Sequence, residues 1–295
     1  MKKLRTFAVS MIIAAIGLLI YCAGFYVKSY EQNMTAKQEY EKLAQMAELQ
    51  EEEDDSLPAD KKEVMSDNNI KSSERRHKKT QRKTSDIIKD SADKIRESFG
   101  ISWENLRKIN SQVVAWITIP GADISYPVVQ GMDDEYYLKH NFKGDEDLFG
   151  CIFLEHNNKK DLMGSHSIIY GHNMEGHMMF ADLNCYEKSE FLSSCPEIEV
   201  ITPERKFLYK IFSVEQASAQ SAAFEYGYDL SSPAYKRQLA ELKKNSMYET
   251  GIEPDVGKPI ITLITCNSHL DKEIRMAVHG TCYEIADAEL YKYKK

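Results

Sequence analysis

No two cysteines of this 295-residue chain stand at a CxxC spacing; the six fall singly at Cys22, Cys151, Cys185, Cys195, Cys266 and Cys282. Paired metal-ligand signatures are therefore absent. A disulfide between Cys185 and Cys195 is open to such a chain in an oxidising compartment, but it would leave an unpaired thiol over. Any one of these cysteines can be a small buried hydrophobe, and one of them can be a reactive thiol.

Positive charge is also in short supply. The chain has 38 Lys and Arg against 46 Asp and Glu, and the acidic excess lies from Phe99 onward, where 29 acidic residues face 20 basic ones. A domain this acidic does not hold phosphate backbones, which excludes nucleic acid as a partner. Charge is missing altogether between Phe7 and Val27 in "MKKLRTFAVSMIIAAIGLLIYCAGFYVKSY". Its length and the flanking Lys2, Lys3 and Arg5 predict a single-pass transmembrane anchor over 7–27. Residues 1–6 would then be cytoplasmic and the rest extracellular. No small-x-small cleavage site follows the run, and bulky Tyr21 precedes Cys22, so the reading is an anchor rather than a signal peptide or lipoprotein.

From Lys28 to Ser98 glycine is absent, Pro58 is the only proline and aromatics are few. That stretch lacks material for a core and reads as a charged linker. Its start is expected to be helical, with Thr35 and Gln38 fitting a capping box and Tyr40, Leu43 and Ala47 at helical spacing. The acidic "EEEDD" then gives way to the basic "KSSERRHKKTQRK". Such blocks are solvated tethers or, for the basic one, a grip on anionic wall polymer or lipid headgroups.

What is present from residue 99 to 295 is the composition of one packed domain. "SWENLRKIN" predicts a short helix with Trp103, Leu106 and Ile109 on one side. Eight β-rich runs follow: "VVAWITIP", "ISYPVVQG", "CIFLE", "SIIYG", "EIEVIT", "FLYKIFSVEQ", "IITLITC" and "IRMAVHG". So many strands with few helices between them predict a mainly β fold, an eight-stranded closed or nearly closed antiparallel barrel with peripheral helices. "DDEYYLKH" predicts a brief helix. "SSPAYKRQLAELKKN" predicts a longer one, with Ser232 as cap, Pro233 in the first turn and Tyr235, Leu239 and Leu242 as its buried stripe. The tail "ADAELYKYKK" reads as a surface end.

Side chains alternate along a strand, so Thr262, Ile264 and Cys266 share one face of "ITLITC", and Arg275, Ala277 and His279 share one face of "IRMAVHG". Paired as a hairpin, the two runs bring Arg275 beside Cys266 on a common face. A guanidinium there can favour the thiolate and later donate hydrogen bonds to an oxyanion. The alternative for Arg275 is a surface ion pair with Asp271 or Glu273. A cysteine nucleophile also needs a proton-transfer partner, and the eight histidines do not choose themselves. His172 stands at a strand end after a glycine, while His269 and His279 are rivals.

The ordered segments "INSQVVAWITIPGADISYPVVQGMDDEYYLKHNF", "GCIFLEHNN", "SIIYGHNM", "MFADLNCY" and "ITLITCNSHLDKEIRMAVHG" resemble the class B sortases over roughly 102–284. The resemblance implies a cysteine transpeptidase on a sortase-type barrel that needs no metal or other cofactor. It casts Cys266 as nucleophile, His172 as general acid/base and Arg275 as the oxyanion and substrate-binding arginine. The thiolate would cleave an NPxT-type C-terminal sorting signal of a surface protein after threonine. It would then pass the acyl group to an amine of peptidoglycan or lipid II. Thr265, Ile264, Asn267 and Tyr170 would flank the substrate groove, with Ile264 replacing a serine and Asn267 an acidic residue found in some members. Competing readings are a cysteine endopeptidase acting on wall peptides, a pilin-polymerising sortase, and a non-catalytic surface module binding metal through His172 and His177.

Overall fold

The computed structural model describes residues 2–47, 97–174, 176–266 and 274–288, with the backbone alone at 2–10, 12, 13, 97, 98 and 266. Eight strands close into a barrel: β1 (Val113–Ile119), β2 (Ile124–Val129), β3 (Ile152–Leu154), β4 (His166–Gly171), β5 (Glu197–Ile201), β6 (Arg205–Ala217), β7 (Ile260–Cys266) and β8 (Arg275–Asp287). Their order around the barrel is β6-β8-β7-β4-β3-β2-β1-β5, with β5 pairing β6 to close it. All eight runs expected from the sequence form strands. Two pairings are parallel, β2 with β3 and β4 with β7, where an all-antiparallel barrel was expected. Hairpins are set by local turns, but β4 and β7 are joined through β5, β6 and a long crossover, which allows either direction.

The barrel interior is a single apolar cluster that includes Ile117, Val128, Phe153, Ile169, Val200, Phe207, Leu263 and Val278. A second cluster lies outside, where Ile168, Ile260, Ile264 and Ala277 are covered by Tyr235, Leu239 and Leu242. These three belong to α4 (Pro233–Lys244), the crossover helix between β6 and β7. Its start is as the sequence dictates: the Ser232 hydroxyl accepts from Tyr235 N at 3.1 Å and Pro233 fills the first turn, where its missing N–H costs nothing. The other α-helices among the described residues are α1 (Lys2–Ala47), α2 (Trp103–Ile109) and α3 (Ser189–Ser194). Trp103 and Leu106 of α2 are fully buried. "DDEYYLKH" contributes only a single 3-10 turn, Tyr136–Leu138.

The N-terminal region requires a correction. No helix among the described residues is long and apolar enough to cross a membrane. The expected span was read from the uncharged run over 7–27. The expected single-pass anchor, its membrane partner, and the placement of a cytoplasmic N-terminus with the domain outside all rested on that span and fall with it. Helix α1 also does not start at a Thr35 capping box. It runs through that point, and the Thr35 hydroxyl donates back to Glu31 O at 2.9 Å, the bond a Ser or Thr makes inside a helix. Ala36, Tyr40, Leu43 and Ala47 are buried at helical spacing and belong to the main apolar cluster. Of the expected linker, residues 48–96 lie outside the described residues, with both charge blocks.

Beneath α4 a polar seam crosses the outer face. His166 Nδ1–H donates to Glu225 O at 2.6 Å, so its Nε2 accepts from the Thr262 hydroxyl at 2.6 Å. Thr262 Oγ1 in turn accepts from His279 Nδ1 at 2.8 Å, and His279 Nε2 lies 3.5 Å from Glu215 Oε1. Burial holds His166 far below its ordinary range, at about 3. Unfolding frees it to protonate below about 6.5, so stability is full above that pH and is lost as pH falls from about 6.5 toward 3. Glu215 acts in the same direction lower down, because the nearness of the His279 imidazole and the hydrogen bond from Ser221 outweigh its burial and keep its carboxyl below the usual range. Chemical denaturation between pH 7 and 4 is expected to show a loss of up to about 1.4 kcal/mol per pH unit from His166. That slope should shrink in His166→Gln; an unchanged slope would remove His166 as the cause.

Candidate active site

Register, not sequence proximity, builds the site. On one side of β7, β4 runs parallel, with Thr265 opposite Gly171. Cys266 and His172 are the next residues along each strand. On the other side β8 runs antiparallel, with Cys266 opposite Arg275, Ile264 opposite Ala277 and Thr262 opposite His279. The backbone at Cys266 thus lies between the residue before His172 and Arg275, at one end of the barrel. The common face of the two hairpin strands is the one read from alternation in the sequence.

His172 is half-buried and its Nε2 lies 2.7 Å from Leu138 O. A carbonyl oxygen only accepts, so Nε2 carries the proton and Nδ1 is the nitrogen left to exchange one. Close approach of backbone fixes this corner. A β-carbon on Gly171 would stand 2.4 Å from Ile152 Cδ1 and 2.7 Å from Phe180 Cγ. The glycine before His172 is therefore a packing requirement.

Arg275 is half-buried, and its guanidinium carbon lies 5.8 Å from the centre of the Phe224 ring. That is cation–π range and holds the planar group against an apolar wall. Asp271 and Glu273, the ion-pair alternatives, lie outside the described residues, as do Asn267 and His269. Tyr170 stands opposite Ile264 on β7 and packs on Phe153 at 5.3 Å between ring centres. Burial pushes its hydroxyl up; the charges of Asp134 and Glu155 act the same way and that of Arg275 opposes them. Ile264 is buried under α4 with Tyr170, Phe224 and Tyr226 packed around its cluster, so it supports the face rather than lining open space. Thr265 points to the opposite side of β7, is 1% exposed, and its hydroxyl has no hydrogen-bond partner among the described residues.

The rival His279 is fully buried, four residues along β8 from Arg275, roughly 13 Å at strand spacing. It belongs to the seam under α4. His177, considered as a metal ligand, bonds Asp182 Oδ1 at 2.6 Å through Nδ1. Among the described residues the group able to surround an ion is Asp134, Glu155 and His156, whose ligand atoms lie within 4.8 Å of one another. There the His156 Nδ1 sits 2.9 Å from both an Asp134 and a Glu155 carboxylate oxygen. Cys151, Cys185 and Cys195 are free. Sequence reasoning missed the Leu138 carbonyl and the Phe224 ring. The first is backbone and leaves no side-chain signal; the second lies in the crossover, far from any motif.

The family described as "Sortase domain" matches residues 117–282. Sortase B of Listeria monocytogenes is 32% identical over 177 residues, 60% of this chain and 72% of its own. Sortase B of Staphylococcus aureus is 27% identical over 190 residues, 64% and 76%. Among solved structures, Clostridium perfringens sortase B superposes with a TM-score of 0.57 at 30% identity, covering 61% of this chain and 99% of its own. A Staphylococcus aureus sortase B–substrate complex gives 0.59 at 25%, covering 70% and 94%.

Proposed function

The chain belongs to the sortase family, in its class B branch, and is a cysteine transpeptidase; on that premise we propose that Cys266, His172 and Arg275 carry the reaction, within a catalytic domain spanning 99–295. The Cys266 thiolate attacks the carbonyl of a threonine in a C-terminal sorting signal, forming the C–S bond. Arg275 donates hydrogen bonds to the oxyanion. As the C–N bond breaks, protonated Nδ1 of His172 gives its proton to the departing amine. An amine of a peptidoglycan precursor then attacks the thioester, Nδ1 takes the proton released, and the thiolate leaves. The product is an amide joining the surface protein to the wall.

The observation that carries this reading is the double register at the end of β7, Thr265 against Gly171 and Cys266 against Arg275. It gathers three residue types with complementary tasks at one strand end. The signal is taken to be NPxT-like, and Tyr170 and Asn267 are taken to face it. Thr265 and Ile264 shape that wall from behind.

A panel of quenched peptides differing at each signal position, run with and without a peptidoglycan-like amine, tests the substrate and acceptor. Cleavage of NPxT-type peptides with ligated product is expected. Cleavage that never yields a ligated product would favour an endopeptidase, and ligation only to a protein lysine a pilin polymerase. The His172→Ala variant is expected to lose about a thousandfold or more in kcat with KM nearly unchanged. A His172→Ala enzyme of near-parent rate would remove that residue from the mechanism.

A further inference from the structure

Helix α1 touches the backbone that holds the imidazole. Tyr40, buried on its docking face, donates its hydroxyl to Gly150 O at 3.2 Å, and its ring meets Tyr126 of β2 edge-on at 5.2 Å. Gly150 has φ +58, and its α-carbon is seated against the imidazole. A β-carbon there would lie 3.0 Å from His172 Cδ2, 3.0 Å from Leu138 O and 2.6 Å from Tyr137 O. The next residue, Cys151, donates its N–H to Tyr137 O at 2.9 Å. Two backbone segments are thus laid together under His172: Tyr137–Leu138, which accepts its Nε2–H, and Gly150–Cys151, which backs the ring. Tyr40 grips the second from the far side.

From this geometry we infer that Tyr40 is a positioning residue for His172, and that docking of α1 sets the orientation of the imidazole. The inference rests on the proposed role of His172. Its chemistry is plain. The Tyr40 hydroxyl, which also lies beside the Cys151 thiol, donates to a carbonyl whose own α-carbon is in contact range of the imidazole. Freeing that carbonyl lets the 150–151 backbone relax outward. The Leu138 carbonyl and the ring then lose their fixed relation, and with it the preference for the Nε2–H tautomer that leaves Nδ1 for proton exchange. Glu39, the neighbour of Tyr40, makes a different contact, a partly exposed ion pair with Lys143 at 2.7 Å that does not reach Gly150.

The experiment uses the full chain with Tyr40→Phe, which keeps the ring and removes only the hydroxyl. Glu39→Gln serves as a control on the same helix. The parent and each variant are compared by kcat and KM, by the pH profile of kcat/KM, and by NMR titration of His172, assigned with His172→Ala. Tyr40→Phe is expected to lower kcat about fivefold, the rate equivalent of one neutral hydrogen bond, with KM within about twofold. The titration of His172 should move with the kinetic profile. Glu39→Gln should match the parent, as exposed pairs contribute little. Gly150→Ala keeps the Tyr40 bond but drives a methyl toward the ring, and should displace the same titration. A Tyr40→Phe enzyme that merely melts earlier, with parent kcat and parent His172 titration, overturns the inference. Parent-like turnover in His172→Ala overturns the catalytic reading itself, and is told apart because it does not depend on Tyr40.

Discussion

Replacing Cys266 with alanine is expected to abolish cleavage and transfer together, by about ten-thousand-fold or more, while leaving the far-ultraviolet circular dichroism spectrum unchanged. The size follows from the chemistry. Without the sulfur no acyl-enzyme forms, and what remains is the modest rate enhancement from binding and oxyanion stabilisation alone. The fold should survive because β7 is held by backbone pairing on both sides, to β4 and to β8, and neither ladder uses the thiol. Steady-state kinetics beside a thermal melt separates the two effects. Retained cleavage in a folded Cys266→Ala protein would mean another nucleophile.

Arg275→Ala is expected to have the second largest effect. Removing one preorganised donor to a developing oxyanion costs about a hundredfold to a thousandfold in kcat. The arginine is well placed for such work: half-buried, opposite Cys266 in the ladder and within cation–π range of the Phe224 ring. A side chain held in this way has little rotamer entropy left to lose on binding. Lysine at this position keeps the charge but not the planar fork, so Arg275→Lys should recover only part of the loss. A kcat for Arg275→Ala within a few-fold of the parent would show that the guanidinium serves the Phe224 contact and not the reaction.

How much of this was legible in the sequence follows from the range of the interactions involved. The β7–β8 hairpin could be read from alternation, because a period of two fixes which residues share a face once a turn joins the strands. Helix α4 could be read too, since Ser232, Pro233 and the Tyr235, Leu239, Leu242 stripe are all local signals. The pairing of β4 with β7 could not. Those strands are separated by two others and a crossover, and only closure of the barrel brings Gly171 to Thr265. His172 accordingly needed the family resemblance in "SIIYGHNM". The hold on His172 was equally hidden, because Leu138 acts through its carbonyl and Tyr40 sits more than a hundred residues upstream in a segment that composition marks as linker. In the same region, absence of charge over 7–27 suggested a membrane span that the described helix does not supply.

Cys266 is proposed to carry the acyl group between two nucleophiles. The direct measurement is intact-protein mass spectrometry of the full chain mixed with an excess of NPxT-type peptide in the absence of amine, followed by peptide mapping and then an amine chase. The account requires an added acyl mass, located on the fragment that contains Cys266, which disappears on the chase as ligated product forms in equal amount. Acyl mass on any other residue, or ligated product forming at the parent rate in the Cys266→Ala chain, would contradict it.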